Sequence, residues 1–399
     1  YMIMPPKTIK PIGGLFVDDQ GRTVQLRGIN LGGNGKLPTV PNGWTWRRDK
    51  MSEFYNHKDV SFVGRPFPLA EADEHLGRLK HWGYTLLRFV ITWEAIEHGG
   101  PGVYDTEYLD YLATVVRKAS VDFGFWIWID PHQDAWSRFT GGSGAPGWTV
   151  EAVGFDITKL EETGTGIIHQ SYGDPLPHMI WPTNYTKLAC ATMFMIFFAG
   201  NELAPKTKIE GENAQDYLQR HYINAIMEVV KKLEGIPQIL GFGSMNEPNM
   251  AWIGLEDLNS YKWELQLGPL LTPFQSMVAG NGGTVTAPEY AHGALGFKNI
   301  GNKIVNPDKV RAWREGVPCI WTDNGVMGIE NGEPKLLRPH HFFKADDGRK
   351  INFYTDYFIA FGKRFAQAVH TLQPKACIFI EDAPFAVKGM PHLVWPAEP

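Results

Sequence analysis

Ile239-Leu-Gly-Phe-Gly-Ser-Met-Asn-Glu-Pro248 is an apolar run that stops abruptly at Asn246-Glu247-Pro248. The run reads as a strand. Proline has no N–H to donate to a parallel ladder, so Pro248 ends it. Glu247 therefore sits at or just past a strand's C-terminal end, with Asn246 beside it. In a (β/α)8 barrel, catalytic groups point from that end. A carboxyl there, next to an amide able to hold a sugar hydroxyl, suits a glycosidase general acid. A surface turn that happens to spell Asn-Glu-Pro is the alternative.

On either side of this run the chain alternates strand and helix. Val24 to Leu31 reads as a first strand, Thr85 to Trp93 as a second, Phe123 to Ile129 as a third, and Ala376 to Glu381 as a fifth. Leu69, Ala72, Leu76 and Leu79 recur at helical spacing, and Gly83 ends that helix. Asp105 is placed to cap a helix whose inner face is Tyr108, Leu112, Val115 and Ala119. Further helical stretches lie near 184–199, 214–233 and 356–369. Residues 249–355 are rich in Gly, Pro and Asn and read as large loops over one face.

Near-continuous apolar strands alternating with helices predict a parallel sheet. A doubly wound sheet usually carries a glycine-rich phosphate turn after its first strand. Gly28-Ile-Asn-Leu-Gly-Gly33 does not match that pattern, so a closed barrel is preferred.

With 399 residues, 43% of them hydrophobic, the chain is long enough for one large core or two. The net charge of −5 is small, and no long basic run occurs, which argues against nucleic acid as a partner. Cys190, Cys319 and Cys377 have neither disulfide-framework nor zinc-ligand spacing, and fit a reducing compartment. Tyr1 to Lys7 shows no signal-peptide pattern, so a cytoplasmic or intracellular, membrane-associated location is expected. The most apolar window, Leu188 to Ala199, is too short for a bilayer, which needs roughly 20 residues. The sequon Asn184-Tyr-Thr186 reads as fortuitous.

Residues at the strand ends should share one pocket. These are Asn30 and Lys36 after the first strand, and Asp130-Pro-His-Gln-Asp134 after the third. Asn246 and Glu247 follow the fourth, and Glu381-Asp382 the fifth. Arg88 lies within the apolar second strand and needs an anionic partner, because an unpaired buried charge is costly. A carboxylate across the barrel would serve; an outward salt bridge to a helix is the alternative. His132 and Asp134, two apart, can face one side and hold hydroxyls of a sugar ring. Metal binding is the rival for that pair, and no metal or organic cofactor is expected. His340-His341 with Asp346 and Asp347 reads as a solvated loop. Gly141-Gly-Ser-Gly-Ala145 lacks the last glycine of a nucleophile elbow and reads as a flexible loop. Trp136, Phe139 and Trp148 are either core or an aromatic platform for a sugar or a lipid.

These motifs together resemble glycoside hydrolase family 5, in its endoglycoceramidase-related branch of fungal glycolipid β-glucosidases. The carriers are Leu26 to Leu31, Asp130 to Arg138, Gly144 to Trp148, Trp181 to Tyr185, Phe197 to Gly200 and Asn246-Glu-Pro248. The resemblance implies a (β/α)8 barrel that hydrolyses a β-glycosidic bond to a lipid with retention. It implies Glu247 as acid/base, Asn246 at the sugar's 2-hydroxyl, and Lys36, His132, Asp134 and Trp148 as substrate-binding residues. Arg88 matches an arginine that supports the nucleophile.

The chain departs from this pattern in one respect. The family's nucleophilic glutamate follows a seventh strand, whereas only about five strands are read here. The expectation is an N-terminal part of a catalytic barrel. The remaining strands, a possible C-terminal β domain and the nucleophile would then lie outside this chain, with a second polypeptide as the expected partner. Arg88 would face an empty place. Glu381 as the nucleophile of a shorter barrel is the fallback. The implied substrate is a glucoside of ceramide or sterol, for which peripheral membrane contact is a further expectation. Endoglycoceramidase-type release of an oligosaccharide and a non-catalytic glycolipid-binding protein are the competing functions.

Overall fold

The computed structural model describes residues 8–41, 51–172, 181–261, 267–293, 296–384 and 393–395; the reading of Tyr1 to Lys7 falls outside them. Its centre is a five-stranded sheet of β1 (Gly28–Leu31), β2 (Leu86–Ile91), β3 (Trp126–Pro131), β4 (Ile239–Gly243) and β5 (Cys377–Phe379). All four pairings are parallel, and the strands lie side by side in chain order. A doubly wound sheet reverses its strand order at a switch point. No reversal occurs among these five.

The three middle strands are buried almost throughout, whereas Asn30 of β1 is exposed and all of β5 is half-buried. The outer edges of β1 and β5 are unpaired among the described residues. Register brings Asn30, Arg88, Trp128 and Gly241 into one row across the sheet. A side chain at Gly241 would begin 1.9 Å from the Cys377 carbonyl oxygen. Only glycine therefore lets β4 and β5 approach here.

The crossovers are helical: α1 (Ala72–His81), α2 (Thr106–Val121), α3 (Leu188–Leu203), α4 (Ala214–Lys232) and α5 (Ile359–Leu372). Gly83, at φ +81°, turns the chain after α1. Asp105 caps α2 by accepting from the Tyr108 N–H at 2.8 Å, and Tyr108, Leu112, Val115 and Ala119 are buried. α3 is apolar on every side and buried almost throughout, as a helix without a polar face must be. No helix among the described residues is long and apolar enough to cross a membrane. A single π turn, Tyr354–Phe358, leads into α5, whose Phe361, Phe365 and Val369 face inward.

The segment 249–355 is more ordered than its composition predicts. It holds the helix Pro273–Gly280, a hairpin of Val285–Gly293 with Gly296–Val305, and a second of Met327–Glu330 with Glu333–Leu336. The helix starts with a capping box between Thr272 and Gln275. The long hairpin is largely exposed on its second strand, so it lacks the apolar alternation by which a strand is read from sequence.

His341 is also a correction: it is buried, not solvated, with Nε2 2.8 Å from the Leu203 carbonyl. Burial pulls its pKa down to about 4. Asn184 of the sequon is fully buried and hydrogen-bonded to both backbone groups of Ile167. None of the three cysteines takes part in a disulfide.

Candidate active site

Five strand ends converge on one cluster. Arg88 reaches from β2 to Glu381 beyond β5, with Nη2 2.5 Å from Oε1. The same nitrogen lies 2.7 Å from Asn246 Oδ1 and 3.2 Å from Asp130 Oδ1. The guanidinium rests over the Trp128 ring at 4.9 Å, and that ring stacks on Phe379 at 4.4 Å. The partner of Arg88 is thus internal, not an outward helix. The expected empty place is a correction as well, because Glu381 and Asp130 fill it from within this chain.

A second chain of contacts leaves Asp130, which is fully buried at the end of β3. Asp130 Oδ2 is 2.8 Å from His132 Nδ1, and His132 Nε2 is 3.4 Å from Asp134 Oδ2. Lys36, after β1, donates to the same Asp134 oxygen at 2.6 Å. Burial works against charge on Asp134, yet His132 and Lys36 hold its pKa down at about 2. Burial likewise opposes charge on His132, but Asp130 and Asp134 raise its pKa above the ordinary value. Both imidazole nitrogens therefore face carboxylates.

Glu247 stands between these two groups. Burial raises its pKa first, and the nearby charges of Asp134 and Glu381 raise it further; His132 and Lys36 oppose. A carboxyl so placed keeps its proton to higher pH, the condition for a general acid. Burial also raises Glu381, against the pull of Arg88. Both Glu381 oxygens meet protein donors: Arg88 on one, and the Glu247 N–H at 3.2 Å on the other.

The backbone beneath is tightly specified. Ala135, Trp136 and Glu247 all have positive φ without being glycine, conformations that persist only where surroundings over-determine them. The stretch Gly141–Ala145 packs onto this turn. Asp134 and Ser143 exchange both backbone hydrogen bonds at 2.8 and 2.9 Å. A side chain at Gly142 would begin 1.7 Å from the Asp134 carbonyl oxygen. The glycines serve close approach, so the expectation of a flexible loop is corrected.

Lys36, Arg88, His132, Asp134, Asn246, Glu247 and Glu381 are thus brought together. Trp148 is not. It is buried against Trp93, Tyr217 and His221, and its indole N–H donates to the Glu97 carbonyl at 2.7 Å. Trp136 and Phe139 are core residues too. An aromatic side chain in a glycine-rich segment reads the same whether it packs inward or lines a groove. Asp130 and Gln133 join the cluster from the strand-end stretch 130–134, although the sequence attaches no individual role to either. Their signal was available: a charged and an amide side chain at the end of an apolar strand.

No protein-family model matches the chain. Against curated proteins it is 42% identical over 382 residues to a glucosylceramidase of Rhizopus delemar, covering 94% of this chain and 55% of that protein. It is 38% identical over 435 residues to ergosteryl-beta-glucosidase of Saccharomyces cerevisiae, covering 98% and 56%. The chain is homologous to fungal glucosylceramidases and sterylglucosidases. A solved structure of Cryptococcus neoformans sterylglucosidase 1 superposes with a TM-score of 0.89 at 34% identity, covering 96% of this chain and 58% of that one. The chain thus spans about half the length of the curated relatives it matches.

Proposed function

We propose that this chain carries the acid/base half of a retaining β-glucosidase that releases glucose from a lipid aglycone, a ceramide or a sterol. The observation that carries the reading is Glu247. It is a half-buried carboxyl just beyond β4 with a raised pKa, near the linked polar groups of Lys36, His132 and Asp134. The relatives' names, glucosylceramidase and ergosteryl-beta-glucosidase, support a glucose–lipid bond as the target.

In this reading a nucleophilic carboxylate attacks the anomeric carbon while protonated Glu247 gives its proton to the departing lipid oxygen. Ionised Glu247 then takes a proton from water as that water cleaves the glycosyl-enzyme, so glucose and the lipid alcohol are the products. We do not assign Glu381 as the nucleophile, because the family resemblance places that residue after a seventh strand and Glu381 follows the fifth, β5. We assign it to holding the acid in place. The nucleophile would come from further strands that add beside β1 and β5, whose outer edges are unpaired among the described residues, and complete a (β/α)8 barrel. A second polypeptide is one way to supply them.

A product assay tests the reading. The full-length protein should liberate glucose from glucosylceramide, steryl glucoside or both, with β-configured glucose formed first. Release of an intact oligosaccharide from a longer glycolipid, without glucose, would reject it.

A further inference from the structure

We infer that Gln133 is a positioning residue for Glu247, setting the peptide on which the acid stands; this rests on Glu247 being the acid/base. Gln133 is 5% exposed. Its Nε2 donates to two successive carbonyls, those of Asn246 and Glu247, each at 2.9 Å. Its Oε1 accepts from the Trp136 N–H at 2.9 Å. These partners fix the amide's orientation, because two acceptors and one donor can be met in only one way.

The clasp is reciprocal. Asn246 Nδ2 donates to the Gln133 carbonyl at 2.8 Å, and the Asn246 N–H to the Pro131 carbonyl at 3.0 Å. Glu247 has φ +41°, which a residue with a side chain adopts only when held. It is held on both sides: Gln133 takes its carbonyl and Glu381 its N–H. Gly144 keeps Gln133 in place, since a side chain there would begin 2.5 Å from Gln133 Cβ. No other side chain of this length offers two N–H donors and an acceptor at one end. Glutamate offers no donor, and methionine offers neither.

Releasing the clasp lets residue 247 relax from its left-handed backbone and moves the carboxyl off the glycosidic oxygen. Misplacement by about 1 Å costs on the order of 10²-fold in rate. The test uses Gln133→Met and Gln133→Glu in the full-length protein, with rates normalised to the molecules that trap a 2-fluoroglucoside with a good leaving group. For each, kcat/KM is measured on glucosylceramide and on an aryl glucoside whose leaving group needs no proton.

We expect a loss of about 10- to 100-fold on the lipid glucoside with little change on the aryl glucoside. KM should hold while kcat falls. A purely structural role would depress both substrates equally. Equal losses, or none, in whichever variant folds would overturn the inference. Glu247→Gln serves as reference: if it shows no such split, the acid assignment fails instead.

Discussion

A carboxyl can act as a general acid near neutral pH only where something makes its charge expensive. For Glu247 that is burial, followed by the negative charges of Asp134 and Glu381. Glu247→Gln should lower turnover of lipid glucosides by about 10²-fold or more while sparing the first step on substrates with good leaving groups. Near-normal turnover of the lipid substrate would remove Glu247 from the mechanism.

Asp134, with its pKa at about 2, is ionised throughout the working range. Its charge favours the protonated form of Glu247, so its removal makes Glu247 easier to deprotonate. In Asp134→Asn the alkaline limb of the kcat/KM profile should move to lower pH. A limb that stays put or moves up would show that Asp134 does not act on the acid. The same variant loses a partner of Lys36 and His132, so every glucoside should suffer, whatever its aglycone.

At the scale of elements, the site depends on turns that press on one another more than on any strand. The Gly141–Ala145 segment is laid against Asp134–Trp136 by the paired hydrogen bonds of Asp134 and Ser143. Gly142→Ala places a methyl group where the Asp134 carbonyl already lies. It should cost about 1–3 kcal/mol of stability, as overpacking does, and impair activity without touching a reacting group. Denaturant unfolding and a glucoside assay on the same variant measure both; wild-type values would mean the turn yields freely. Helix α2 offers a simpler case. Asp105→Ala should cost about 1 kcal/mol through loss of the Tyr108 cap.

At the scale of the whole molecule, burial of a histidine outside the strand-end cluster should couple folding to pH. His341 is buried with its pKa pulled from 6.5 to about 4. Its folded pKa is depressed, so the unfolded chain binds the proton more readily between those values. The stability it contributes is complete above about pH 6.5 and is lost as pH falls through 4. The loss reaches at most about 3 kcal/mol. His341→Gln keeps a donor for Leu203 without titrating, and its stability should be flatter over that range. An unchanged slope would place the titration elsewhere.

A sheet of five parallel strands whose outer edges are unpaired among the described residues also predicts association. If further strands from a second polypeptide complete it, mass spectrometry of the purified active protein should find that companion beside this chain. A lone species near 44.9 kDa, fully active on a β-glucoside, would rule that out and return Glu381 as nucleophile.

Chain order, strand and helix alternation and the strand-end cluster were legible from residues alone. Each rests on local signals: apolar runs that end at proline, helical spacing with caps, and charged residues placed where such runs stop. Lys36, Arg88, His132, Asp134, Asn246, Glu247 and Glu381 could be named because a polar group at the end of an apolar strand has few structural reasons to be there. What only the tertiary structure decided was who meets whom. Arg88 finds Glu381 across 293 residues of chain, and Trp148 turns inward to Glu97 instead of toward a sugar. His341 is buried beside Trp321 and Phe342 with its ring bonded to Leu203, the glycines of 141–145 are packed tight, and the long hairpin forms across residues with no apolar pattern. Those outcomes depend on long-range packing and on which face of a turn is covered. Neither is encoded in the spacing of neighbouring residues, because the same local pattern is compatible with either face until a distant element arrives.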